Sequence, residues 1–126
     1  MATTILIVED DPHVVTLLTE LLGQEGYTVE VATDGLVGLL KLRTAAVDAV
    51  LLDVMMPDVD GTRMLRQLLE EHEGHLPVPV VVVTGSPDGA RTCRELLGED
   101  RVVEKPFDPA VLLDRLRGVL AAEEAS

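Results

Sequence analysis

Five polar side chains carry the chemistry that this sequence can do. They are Glu9, Asp10, Asp53, Thr84 and Lys105, and each stands at or just past the end of a short apolar run. Carboxylates brought within a few ångströms either force a proton onto one of them or recruit a cation. A hard divalent ion with oxygen ligands suits such a group. Mg²⁺ in particular takes one or two carboxylates, keeps some waters and leaves room for a phosphate oxygen. Lys105 would add a second positive charge and Thr84 a hydroxyl donor. A cation, an ammonium and a hydroxyl around one carboxylate make a site for a phosphoryl group in transfer, because that chemistry is mostly positioning and charge stabilisation. Asp53 is the nucleophile in this reading. Asp11 has a plainer task, since Pro12 follows it and the pair reads as a helix N-cap with proline at the first helical position.

The elements that must bring these residues together are legible from periodicity. Short apolar, β-branched runs occur at Ile5-Leu6-Ile7-Val8, Thr28 to Ala32, Ala49-Val50-Leu51-Leu52, Val80 to Val83 and Val102-Val103, and they predict strands. Helical spacing lies between them, clearest in Val14, Leu17, Leu18, Leu21, Leu22 and in Val111, Leu112, Leu116, Val119, Leu120. Asp108-Pro109 repeats the start signal of Asp11-Pro12, and Gly26 suits the end of the first helix. The first, third and fourth strands are apolar on consecutive residues, as in a parallel sheet covered on both faces. Thr28 to Ala32 alternates, which suits an edge. The predicted fold is therefore α/β, a five-stranded parallel sheet doubly wound as (βα)5. Ligands of such sheets bind at the carboxyl ends of the strands, where the polar residues above all fall. One domain over residues 1–122 is expected, with 123–126 as a tail or the start of a linker.

Composition narrows the function. The chain has 126 residues, 10 Lys+Arg against 23 Asp+Glu, and a formal net charge of −13. Such a surface repels a phosphate backbone, which argues against nucleic-acid binding by this domain. Tyr27 and Phe107 are its aromatic residues, so it has no platform for stacking bases or flavins. A hydrophobic fraction of 47% is ample for a core. One cysteine, Cys93, fits a reducing cytoplasm, and no apolar run approaches a bilayer span. The first apolar stretch runs into acids with no basic flank, unlike a signal peptide.

From about Thr4 to Leu120 the chain resembles the receiver domain of bacterial two-component response regulators. The motifs are Ile5-Leu6-Ile7-Val8-Glu9-Asp10-Asp11-Pro12, Leu51-Leu52-Asp53-Val54-Met55-Met56-Pro57-Asp58-Val59-Asp60-Gly61, Val83-Thr84-Gly85 and Lys105-Pro106-Phe107. The resemblance implies the strand order 2-1-3-4-5. It implies that Asp53 accepts a phosphoryl group from a sensor histidine kinase or a phosphotransfer protein, and that Glu9, Asp10, Asp53 and the backbone carbonyl of Met55 hold Mg²⁺. Thr84 and Lys105 would contact the phosphoryl oxygens. The domain would catalyse only its own phosphorylation and dephosphorylation, and would signal through the fourth helix, fifth strand and fifth helix as a monomer or weak homodimer.

Two positions depart from the family pattern. Val102 stands where Tyr or Phe is common, and Arg101 where an acid is common, so the usual output mechanism is in question. A stiff, short Val102 cannot swing as a ring does, which shifts the expected response to the segment Gly85 to Gly89 and the start of the fourth helix. A competing reading takes Asp58-Val59-Asp60-Gly61-Thr62 as the nucleophile motif of a haloacid-dehalogenase-like phosphatase, but that motif should follow an apolar strand directly and here Pro57 precedes it. A flavodoxin-like carrier would need a hydroxyl-rich loop after the first strand, where this chain has acids. His72 and His75 read as a solvated helix end, Cys93 as a small core residue, and Arg91, Arg94 and Arg101 as either an ordinary solvated face or a basic patch for a partner.

Overall fold

The computed structural model describes residues 3–44, 46–53, 61–74 and 76–125. Strands and helices alternate along the chain as β1 (Thr4–Val8), α1 (Pro12–Gln24), β2 (Thr28–Ala32), α2 (Gly35–Thr44), β3 (Ala49–Leu52), α3 (Gly61–Glu71), β4 (Val80–Thr84), α4 (Pro87–Leu97), β5 (Val102–Glu104) and α5 (Pro109–Ala125). The five strands pair in parallel in the order β2-β1-β3-β4-β5. A short 3₁₀ turn over Glu99–Arg101, which periodicity does not announce, leads into β5. Helix α5 runs through residues 123–125, which the sequence pattern alone suggested as a tail.

The consecutive apolar runs of β1, β3 and β4 are buried along their whole length because both sheet faces are covered. Side chains alternate between faces, so they sort into two cores. Leu6, Val8, Val50, Leu52, Val80, Val82 and Val102 pack with residues of α2, α3 and α4. Ile5, Ile7, Leu51, Val81, Val83 and Val103 pack with α1 and α5. Asp11 caps α1 by accepting from the His13 N–H at 2.9 Å, and Asp108 accepts from the Ala110 N–H at 2.9 Å at the start of α5. Both edge strands carry a cationic guard against further pairing. Lys41 donates to the Val31 carbonyl at 2.7 Å, and Arg115 to the carbonyls of Glu99 at 2.9 Å and Val102 at 3.5 Å.

Helix α2 approaches β1 closely enough to need a glycine. A Cβ on Gly38 would lie 3.0 Å and 3.4 Å from the two γ-carbons of Val8 and 3.5 Å from Met64 Cε. Val8 is fully buried and β-branched, so it yields little. Overpacking of about 1–3 kcal/mol thus outweighs the gain of about 1 kcal/mol that Gly→Ala brings inside a helix. Gly38→Ala is expected to lower unfolding stability by about 1 kcal/mol. Gly118→Ala in α5, where a Cβ meets nothing within 4 Å, is expected to raise it by a similar amount. Urea titration of the two variants checks both signs.

Candidate phosphoryl-transfer site

Backbone pairing sets the site before any side chain does. Beyond the end of β1 the Glu9 N–H donates to the Ala32 carbonyl at 3.0 Å, and beyond β3 the Asp53 N–H donates to the Val8 carbonyl at 2.9 Å. Beyond β5 the Lys105 N–H donates to the Thr84 carbonyl at 2.8 Å. Each strand end is thereby held in register with its neighbour by at least one residue more than the strand proper. The central strand of the order, β3, delivers Asp53 between the acids of β1 and the hydroxyl and ammonium of β4 and β5.

The side chains converge as the sequence pattern predicts. Glu9, Asp10 and Asp53 offer carboxylate oxygens within 4.8 Å of one another. Lys105 Nζ lies 3.3 Å from both oxygens of Glu9 and 3.4 Å from Asp53 Oδ2. Glu9 and Asp53 are 3% and 5% exposed, whereas Asp10 stands in the open, so the cluster is a mouth with two acids at its floor and one at its rim. Thr84 is fully buried, and its Oγ1 accepts from the Ser86 N–H at 3.1 Å. That contact uses a lone pair, so the hydroxyl proton itself is not committed to it.

Electrostatics show how much the floor wants a cation. Burial first, then a hydrogen bond and like charge from Asp53, push the Glu9 carboxyl from 4.5 up to about 7, while Lys105 pulls the other way. One ammonium does not offset the burial of Glu9 and the like charge beside it. The donor set, all hard oxygens on three acids, fits Mg²⁺. A carboxyl whose folded value lies above its unfolded value binds the proton more tightly when folded. Its contribution to stability is complete below about pH 4.5 and lost as pH rises through about 7. In chelator, Glu9→Gln is therefore expected to remove a downward slope of stability between about pH 5 and pH 7. Thermal unfolding of both proteins across that range checks it, and parallel curves would contradict it.

Other expectations meet mixed outcomes. Met55, Asp58 and His75 lie outside the described residues. His72 is exposed near the end of α3, its Nδ1 2.9 Å from the Leu68 carbonyl, as a helix end should be. Cys93 is buried in the α4-side core. Two of the three arginines are paired with acids. Arg91 pairs with Asp88 at 3.2 Å, and Arg94 with Glu99 at 3.0 Å and Glu104 at 3.3 Å, so acids quench both. The sequence grouped the arginines on the fourth helix and fifth strand but could not see that Glu99 and Glu104 close on Arg94. The Thr84–Ser86 contact was equally invisible, though a serine two residues past the strand-end threonine, before Pro87, is the signal of an N-cap there.

Comparison with known proteins agrees with this geometry. The chain is 40% identical over 120 residues to the transcriptional regulatory protein CseB of Streptomyces coelicolor, covering 94% of this chain and 49% of CseB. It is 40% identical over 119 residues to the transcriptional regulatory protein CpxR of Klebsiella pneumoniae, covering 92% of this chain and 48% of CpxR. It thus spans about half the length of these relatives. The crystal structure of a CheY-like response regulator receiver domain protein from Methanospirillum hungatei superposes with a TM-score of 0.84 at 29% identity, covering 99% of this chain and 98% of that one. The family described as the response regulator receiver domain matches residues 5–117. With that match over nearly the whole chain, and with the strand order of the CheY-like fold, this chain belongs to the receiver domains of two-component response regulators.

Proposed function

We propose that this domain, residues 1–122, takes a phosphoryl group onto Asp53 from a histidine kinase or phosphotransfer protein in an Mg²⁺-dependent step, and signals through α4, β5 and α5. The observation that carries the reading is the buried Asp53 carboxylate with the Lys105 ammonium 3.4 Å away and Glu9 and Asp10 beside it. Glu9, Asp10 and Asp53 would hold Mg²⁺, with the carbonyl of Met55 as the family resemblance implies. When bound, the ion neutralises carboxylate charge and polarises the phosphoryl oxygens. An Asp53 oxygen attacks phosphorus, the P–N bond of a phosphorylated imidazole breaks, and the departing imidazole keeps the electron pair and takes up a proton. Lys105 and Thr84 then bind the phosphoryl oxygens, the lysine by charge and the threonine by its hydroxyl proton.

The same reading makes the domain a cytoplasmic signalling module, a monomer or weak homodimer that does not itself bind nucleic acid. Among the described residues no helix is long and apolar enough to cross a membrane. Acetyl phosphate with Mg²⁺, followed by mass mapping of the modified residue, tests the assignment. Modification at Asp53 is expected, and modification at Asp58 would favour the dehalogenase-like alternative.

A further inference from the structure

Helix α4 is tied to the site at both ends. At its start, Ser86 is the N-cap, its Oγ accepting from the Gly89 N–H at 3.0 Å, while its own N–H is held by Thr84 Oγ1. Near its end, Arg94 Nη2 donates to Glu104 Oε2 at 3.3 Å, and Glu104 is the residue before Lys105. Val102 and Glu104 share the sheet face that packs against α4, and Val103 faces the other way. Between the two ties Val102 is buried against α4-side residues that include Ala90 and Cys93. The Arg94 side chain is 31% exposed, and its Nε faces Glu99 at 3.0 Å without an aligned hydrogen bond. Arg94 is thus held by charge on two sides.

We propose that the Arg94–Glu104 pair is a latch that holds α4 in the position seen here and opposes the change that phosphorylation of Asp53 brings. The inference rests on the function proposed above. For Thr84 to direct its hydroxyl at a phosphoryl oxygen it must turn about χ1, and the Ser86 N–H then loses its acceptor. Lys105 must at the same time follow the phosphoryl oxygens away from the Glu9 carboxylate. Its backbone stays pinned to Thr84, so Glu104 keeps its place on the sheet while α4 moves. Ser86 is also the N-cap of α4, so a shift of Ser86 moves the start of the helix. Because a helix of 11 residues moves as a unit, Arg94 is displaced relative to Glu104. An ion pair made in one position and lost in the other biases the equilibrium by its own strength, which for a partly exposed pair is modest.

The test compares the unsubstituted chain with Arg94→Ala, Arg94→Lys and Glu104→Gln. Two readouts are followed: the rate at which acetyl phosphate with Mg²⁺ modifies Asp53, and amide hydrogen exchange over α4 with and without beryllofluoride. Arg94→Ala is expected to speed modification about 2- to 5-fold and to raise α4 exchange mainly without beryllofluoride. Arg94→Lys should sit between, and Glu104→Gln, which removes the same pair from the other side, should change both readouts in the direction of Arg94→Ala. A merely structural arginine would raise α4 exchange equally in both conditions and leave the rate unchanged, and that result would overturn the latch while leaving Asp53 as phosphoacceptor. No modification of the unsubstituted chain at Asp53 would overturn the proposed function and the latch with it.

Discussion

Asp53→Asn is expected to abolish phosphoryl uptake from acetyl phosphate, lowering the rate by more than about 10³-fold, the scale on which loss of a nucleophile is felt. Asparagine keeps the size and much of the hydrogen bonding of aspartate but offers no carboxylate oxygen to attack phosphorus. The substitution has a second consequence that folding measurements can read. Asp53 is the like charge that helps to raise the Glu9 carboxyl, so its removal leaves burial as the remaining cause and Lys105 as a closer match for Glu9. The variant should fold at least as stably as its parent in chelator, which separates loss of chemistry from loss of structure. Modification persisting in Asp53→Asn at the rate of the unsubstituted chain would remove Asp53 from the nucleophile's role.

The second large effect is on the metal. Asp10 is the exposed member of the acidic group, at the rim where an ion arrives from solvent, so it is the carboxylate most ready to meet one. Asp10→Asn is expected to weaken Mg²⁺ binding about tenfold or more, because one of few charged oxygen ligands is lost. Asp11 is one residue further on and its carboxylate is committed to the His13 N–H. Asp11→Ala should leave Mg²⁺ affinity nearly unchanged and cost about 1 kcal/mol of stability, the usual value of an N-cap. Calorimetric Mg²⁺ titration and urea unfolding of the two variants separate the roles. Equal loss of Mg²⁺ affinity in both would mean that the acids after β1 are not divided in this way.

Local pattern was enough for much of this molecule. Runs of consecutive aliphatic residues at Ile5 to Val8 and Val80 to Val83 can be buried only between two helical layers, and they are. The alternation of Thr28 to Ala32 marks a strand with one face near solvent, and β2 is an edge. Asp11-Pro12 and Asp108-Pro109 mark helix starts because an N-cap acts within two or three residues. A parallel sheet collects its strand ends at one edge, so the placement of Glu9, Asp10, Asp53, Thr84 and Lys105 followed from their positions after apolar runs.

Partnership across the chain was decided only by tertiary structure. Periodicity says which face a residue takes, but not which distant residue meets it or at what distance. That Lys105 bridges Glu9 and Asp53, and that Glu9 is raised to about 7, depends on burial of both acids and on the ammonium's position. The arginines of α4 looked basic in sequence and are neutralised in space by Asp88, Glu99 and Glu104. The reason for a glycine at position 38 lies in the approach of Val8 to α2. Short-range chemistry of caps and patterns is written in neighbouring residues, whereas charge pairing and close approach are properties of packing, and packing brings together residues 44 and 96 positions apart.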